Sequence, residues 1–369
     1  MIIERIDLFH IKIPLLLPFE TSYGRDDDME KLLLKVYTPD MVTYAECVAE
    51  TTPTYSYETI GTAREILKKY LFPLVLGKEI DGPEEYCRMV SWVRGHEMAR
   101  SALENSVWIL KALEKGVSLA QLLGGTATKI VSGVSIGIQD TVESLVDLVG
   151  SYLEKGYPRI KIKIKPGKDI QFIEGVRKRY PDIALMVDAN NAYSLDDIDI
   201  LKEFDRYNLT MAEQPLDYDD IIDHARLRTL IETPICLDES IHSPYFARVA
   251  AELNACQIIN IKQARVGGLR AAKIVHDLCM EHNIGVWCGG MMETGIGRAV
   301  NIALTTLANF IYPSDISASD RYWERDIIEQ PFVLNTDGTI DVPSGAGLGV
   351  TVDEKMIDRY TISHEVFRA

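Results

Sequence analysis

From about residue 130 the chain alternates short apolar runs with amphipathic stretches of 10 to 16 residues. The runs are Ile130 to Ile138, Arg159 to Ile164, Ala184 to Val187, Leu209 to Ala212, Pro234 to Leu237, Gln257 to Ile261, Ile284 to Cys288 and Asn309 to Tyr312. Segments with helical spacing, such as Asp169 to Arg179 and Gly268 to His282, lie between them. Strands alternating with helices predict βαβ units and a parallel sheet. Eight such units at a nearly fixed repeat predict an α/β fold of the (β/α)8-barrel type rather than a doubly wound sheet. The first 125 residues read differently, as α+β. Ile2 to Pro14 and Lys31 to Ala45 have strand-like content, with the polar stretch Tyr23 to Asp28 as a loop between them. Tyr57 to Tyr70, Pro83 to Val93 and His96 to Lys115 have helical spacing, the last stopping at Gly116. Beyond Asp315 the pattern becomes a polar tail of strands and turns. The expected division is an α+β cap over 1–125, the barrel over 126–320, and a segment 321–369 that returns to complete the cap.

Composition narrows the partners. Lys+Arg 39 against Asp+Glu 55 gives a net charge of -16, which repels polyanions, so nucleic acid is not an expected partner. No apolar run approaches the roughly 20 residues of a membrane-spanning helix, and the N-terminus lacks the order of a signal peptide. Cys47, Cys87, Cys236, Cys256, Cys279 and Cys288 are dispersed with no C-x-x-C pair, which predicts reduced thiols in a cytoplasmic protein.

Candidate chemistry lies at the strand ends, where a barrel carries its active site. Lys163, Asp188, Glu213, Asp238 and Lys262 each terminate an apolar run, spaced 25, 25, 25 and 24 residues apart. One strand-end acid alone is more often a helix N-cap or loop residue than a metal ligand. Five polar residues at one-unit spacing on consecutive strands predict a ring at the barrel mouth. Converging carboxylates repel unless a cation neutralises them, and an all-oxygen set suits Mg2+ first and Mn2+ second, one divalent ion per site. A lysine beside a metal and another lysine is disfavoured as an ammonium, so its pKa is expected to fall and it can act as a base. This pattern points to proton abstraction next to a carboxylate, with a small-molecule carboxylate as substrate.

These motifs resemble those of the enolase superfamily, muconate-cycloisomerase subgroup. Arg159 to Gly167 is similar to its K-x-K strand. Val187-Asp188-Ala189-Asn190, Ala212-Glu213-Gln214-Pro215 and Leu237-Asp238-Glu239-Ser240 resemble its metal-ligand motifs, and Ile261 to Gly268 resembles the strand of its second catalytic lysine. Gly95 to Glu104 resembles the helix linking cap to barrel, so the likeness spans essentially the whole chain. One departure is Trp108-Ile109, where relatives often carry an acid after the tryptophan.

The resemblance implies Asp188, Glu213 and Asp238 as metal ligands and Lys163 and Lys262 as the catalytic pair. None of the seven histidines ends a barrel strand, and His276 and His282 are expected at the surface. Asp315-Ile316-Ser317 lacks the second acid of the dipeptide epimerases' D-x-D, which counts against an amino-terminal substrate. Cys288 to Arg298, Arg265 and Ser317 to Trp323 resemble the o-succinylbenzoate synthase branch, which includes N-succinylamino acid racemases. That branch implies dehydration of a 2-succinyl-6-hydroxycyclohexadiene-1-carboxylate in menaquinone biosynthesis, with N-acylamino acid racemisation at the same site. A dedicated racemase and a muconate-type cycloisomerase are the alternatives. Expected substrate contacts are Phe19, Tyr23, Tyr55, Ser135, Lys161 and the Gly290-Met291-Met292 turn. Asn190, Glu239 and Arg265 are expected to orient the first set, and the enzyme is expected to be a homo-oligomer.

Overall fold

A computed structural model describes all residues, 1–369. The N-terminal part forms a four-stranded antiparallel sheet from β1 (Arg5–Glu20), β2 (Arg25–Tyr37) and β3 (Val42–Cys47), with a C-terminal strand added at its edge. The expected loop at Tyr23 to Asp28 is shorter than predicted. Arg25 to Asp28 belong to β2, where Asp26 pairs with Phe19 and Arg25 with Glu20. The hairpin tip thereby reaches the mouth of the second sheet, where Ile138 N donates to Glu20 O at 2.8 Å. The helix Glu97–Lys115 buries an apolar stripe and ends at Gly116, whose φ of 65° suits a residue without Cβ. It ties the two parts together: Ser101 Oγ donates to Gln263 Oε1 at 2.6 Å, and Glu104 Oε1 accepts Arg270 N–H at 2.8 Å.

The second part opens with β4 (Lys129–Val131) and continues into a curled, seven-stranded parallel sheet. Its strands are β5 (Val134–Ile136), β6 (Arg159–Lys163), β7 (Ala184–Asp188), β8 (Ala212–Glu213), β9 (Ile235–Leu237), β10 (Ile258–Asn260) and β11 (Gly285–Trp287), adjacent in that order. The first predicted run is therefore divided, with β4 pairing antiparallel to β12 (Thr339–Asp341). Gly133 sits at the break, against the Arg159 guanidinium, where a Cβ would meet Cζ at 2.3 Å. The eighth run, Asn309 to Tyr312, is not a strand. Phe310 within it makes one isolated parallel bridge, to Val286, and Ser314 just beyond it makes another, to Ser132. Pro313 between them has no N–H to extend a ladder. The tail divides its contacts, since β12 joins β4 whereas β13 (Thr361–Arg368) pairs with β1.

Strand alternation places the site. Ile160, Ile162, Leu185, Val187, Ile235, Leu237 and Ile259 pack outward into the main apolar core. Met186, Met211, Cys236, Ile258 and Trp287 form a separate buried cluster inside the curl. With a side-chain period of two, each residue two positions beyond an interior one also points inward. Asp188 follows Met186, Glu213 follows Met211, and Asp238 follows Cys236. The cysteines form no disulfide, and no helix is long and apolar enough to cross a membrane. His276 is not at the surface. It is 3% exposed, with Nε2 accepting Asn309 N–H at 3.1 Å, because it shares the inner helix face with Ala272 and Cys279.

Candidate active site

The ring predicted from spacing is assembled at the sheet's C-terminal edge. Lys163 comes from β6, Asp188 from β7, Glu213 from β8, and Asp238 and Lys262 lie just beyond β9 and β10. Asp188, Glu213 and Asp238 are all at most 1% exposed. Each has a cation on one oxygen and another donor on the second. Asp188 Oδ2 accepts Lys163 Nζ at 2.6 Å and Lys161 Nζ at 3.0 Å, while its Oδ1 takes Asn190 N–H at 3.0 Å. Glu213 accepts Lys161 at 2.9 Å and Asn260 Nδ2 at 2.7 Å. Asp238 accepts Lys262 at 2.9 Å and contacts the Arg265 guanidinium and the Tyr55 hydroxyl.

Lys161 lies deeper than expected. It bridges Asp188, Glu213 and Asp315, the last at 2.6 Å, and its ammonium sits 4.9 Å from the Trp287 ring centroid. Asp315 also pairs with Arg159 at 2.6 Å. Asp315, Arg159 and Asn260 had no expected role in this network. Arg159 begins the Arg-x-Lys-x-Lys alternation, and Asn260 precedes Lys262 by two positions. Period-two reading of β6 and β10 would have found both.

The electrostatics follow from burial and pairing. Burial alone would raise the Asp188 carboxyl, but Lys163 and Lys161 hold it well below the usual range. Glu213 is pushed up by burial and by Asp188. Glu239 is likewise raised by burial and then by Asp188. Burial works against the charge of the Lys262 ammonium, but Tyr55, Glu239 and Glu213 outweigh this and raise its pKa.

A cavity of about 560 Å3 lies over the ring and takes walls from both parts of the chain. Lys163, Lys262, Asn190, Phe19, Tyr23, Tyr55, Gly290, Met291 and Met292 line it, whereas Ser135 and Lys161 do not. Ser135 is 5% exposed with its Oγ unpartnered. Tyr23 donates to Glu239 Oε1 at 2.8 Å, and Ser22 Oγ donates to Asn190 O at 2.9 Å, so the cap hairpin rests on the ring. The Lys262 ammonium lies 4.2 Å from the Tyr55 ring centroid. Arg265 donates to Tyr55 Oη at 3.0 Å and to Asn260 O at 2.6 Å. Asn190 donates to Glu239 at 2.9 Å. It has φ +41°, a left-handed conformation that asparagine tolerates better than most residues.

The side chains satisfy one another, so no three acidic, histidine or cysteine groups converge at ligating distance. The donor set nonetheless fits a hard divalent cation. It is all carboxylate oxygen on three adjacent strands, and Glu239 Oε2 beside it is buried without a partner.

A capped, curled parallel sheet with two lysines flanking strand-end carboxylates is the architecture of enolase-type enzymes. Residues 5–124 match the mandelate racemase / muconate lactonizing enzyme N-terminal domain, and residues 144–356 match the enolase C-terminal domain-like model; the chain belongs to this family within the enolase superfamily. An o-succinylbenzoate synthase of Geobacillus stearothermophilus is 50% identical over 366 residues, covering 99% of this chain and 97% of the relative. An N-succinylamino acid racemase of an Amycolatopsis species is 44% identical, covering 98% of each chain. Among solved structures, an enolase-superfamily member from Listeria innocua superposes with a TM-score of 0.96 at 43% identity, covering 100% of this chain and 99% of that one.

Proposed function

We propose that this chain is an o-succinylbenzoate synthase that also racemises N-succinylamino and other N-acylamino acids. The observation that carries the reading is the placement of Lys163 and Lys262. They line one cavity from β6 and the end of β10, with the strands of Asp188, Glu213 and Asp238 between them. Support comes from full-length relatives of both names, at 50% and 44% identity.

Asp188, Glu213 and Asp238 would hold one Mg2+ or Mn2+ ion, which supplies positive charge against the dianion formed as a proton leaves the carbon next to a carboxylate. Lys163, as the free amine, takes that α-proton. In dehydration it returns a proton to the departing hydroxyl on the same face, so that water leaves and the ring becomes aromatic. Lys262 remains an ammonium on the opposite face, its charge held by Asp238, Glu239 and the Tyr55 ring. In racemisation one lysine takes the proton and the other delivers one to the far face. Lys161, outside the cavity, fixes Asp188 and Glu213. Phe19, Tyr23, Tyr55 and the Gly290–Met292 turn shape the space around the substrate, where methionine adapts to a bulky apolar portion. Ser135, an expected substrate contact, does not line the cavity.

The same reading takes the Phe310 and Ser314 bridges as closing a (β/α)8 barrel over 126–320, with a cap of 1–125 completed by 321–369. The enzyme is taken as a cytoplasmic homo-oligomer.

The test supplies purified protein and Mg2+ with the succinyl-hydroxycyclohexadiene carboxylate, and separately with N-succinylamino acids in D2O. Formation of o-succinylbenzoate and α-deuteration are expected. Neither reaction occurring would refute the assignment; deuteration alone would favour a dedicated racemase, the reading to which the Amycolatopsis relative points.

A further inference from the structure

The cap sheet buries two charges that proton transfer does not use. Lys31 on β2 is 0% exposed and Glu46 on β3 is 3% exposed. Leu33 pairs with Glu46, and side chains two apart share a face, so both charges point from the same side of the sheet. That side lies against the loop following β11. Lys31 Nζ donates to the Met291 carbonyl at 2.9 Å, and this is the one hydrogen bond its ammonium makes. Glu46 accepts Thr294 Oγ1 at 2.6 Å and Gly297 N–H at 3.0 Å, capping the helix Gly295–Leu304 from a different part of the chain.

The loop between these anchors is the cavity turn Gly290-Met291-Met292. Met292 has φ +50°, a conformation that a Cβ disfavours and that persists when its surroundings hold it. The holding contacts are few. Met291 N donates to Glu293 Oε2 at 2.9 Å, Arg298 donates to Glu293 O at 2.9 Å, and Lys31 takes the Met291 carbonyl. The first two come from the loop and its own helix; only Lys31 reaches the turn's backbone from the cap. A buried ammonium with a single acceptor is an expensive way to fill space, and a methionine would fill it more cheaply.

We propose that Lys31 is a positioning residue for substrate binding: by clamping the Met291 carbonyl it sets the Gly290–Met292 wall, so that docking of the cap and the shape of the substrate site are one event. Lys31 touches neither the reacting atoms nor the lysine pair. The inference rests on the reading of this cavity as the substrate site.

The test compares Lys31→Met, which keeps bulk and loses the donor, with Lys31→Gln, which retains a shorter donor. KM for the N-succinylamino acid is expected to rise at least tenfold in Lys31→Met, with kcat within about threefold, and to rise less in Lys31→Gln. Amide hydrogen exchange is the second readout, faster over residues 289–294 in Lys31→Met and unchanged over β5. It remains informative if the wild type proves inactive, in which case the functional reading has failed and the clamp is judged by exchange alone. An unchanged KM together with unchanged exchange overturns the proposal. So does a loss confined to kcat, or failure of both variants to fold, which would make Lys31 a requirement of the cap core instead.

Discussion

Replacing Asp315 with Asn removes the carboxylate shared by Arg159 and Lys161, at 2.6 Å from each. Burial alone would raise the Asp315 carboxyl, but Arg159 and Lys161 outweigh it and hold it at about 2, below the ordinary 3.8. A carboxyl depressed on folding stabilises the fold above its unfolded pKa, and that contribution fades as pH falls through the folded value. From about 1.4 kcal/mol per pKa unit, the contribution at pH 7 is about 2 kcal/mol. About half should be gone near pH 3 and most near pH 2. The assay is urea unfolding of both proteins from pH 7 to pH 3, followed by tryptophan fluorescence. Trp287, 5.3 Å from the Arg159 guanidinium and 4.9 Å from the Lys161 ammonium, reports on this layer directly. Asp315→Asn should be less stable by about 2 kcal/mol at pH 7, with the gap closing toward acid. A gap that stays constant with pH, or none at pH 7, would refute the argument.

Exhaustive chelation should abolish both activities and Mg2+ or Mn2+ restore them; full activity of metal-free protein contradicts the carboxylate assignment. Asp238→Asn should bind Mn2+ more weakly in a direct titration while still folding, with a lowered urea midpoint because Lys262 and Arg265 lose a buried carboxylate partner; a variant unfolded at room temperature would mean that this strand-end acid serves the fold more than the function. Lys163→Ala and Lys262→Ala should each lose about 10^2- to 10^4-fold in racemisation. Each should still exchange the α-proton of one enantiomer, a different one in each variant, and exchange of both enantiomers by either variant would undo the two-face geometry.

The ring was legible because it depends on local rules. A strand end, a period of two and a repeat of about one βα unit leave little freedom over where Asp188, Glu213 and Asp238 point. What was missed depends on pairings that local pattern does not encode. Arg25 to Asp28 look like a loop by side chain, yet pair through their backbone with the far end of β1. Lys161 read as a substrate contact because nothing nearby in sequence shows that Asp315, 154 positions away, draws it inward. The burial of His276 was readable from its spacing to Ala272 and Cys279, but a histidine on a helix was taken for a surface residue. The eighth run failed as a strand for a local reason, Pro313, that apolar content alone does not register.

In the proposed function, chemistry and fit are carried by different parts of the chain, and this bears on the two activities. Lys163, Lys262 and the three carboxylates stand at strand ends of the curled sheet, fixed by a buried layer of opposite charges in which Arg159, Lys161 and Arg265 face Asp188, Glu213, Asp238 and Asp315. Moving any one of these leaves a partner buried and unpaired, which is costly. Phe19, Tyr23 and Tyr55 belong to the cap, and the Gly290–Met292 turn is clamped by it. Substitutions of Phe19 or within the turn change the space around a substrate without unbalancing the charge layer, whereas Tyr23 and Tyr55 also touch Glu239 and Asp238. Dehydration and racemisation share the first step, loss of a proton next to a carboxylate, and diverge only in what the substrate offers next: a leaving hydroxyl on one face or a vacant second face. On the proposed reading, a fixed proton-transfer ring beneath an adjustable cap would account for full-length relatives carrying the two names at 50% and 44% identity to one chain.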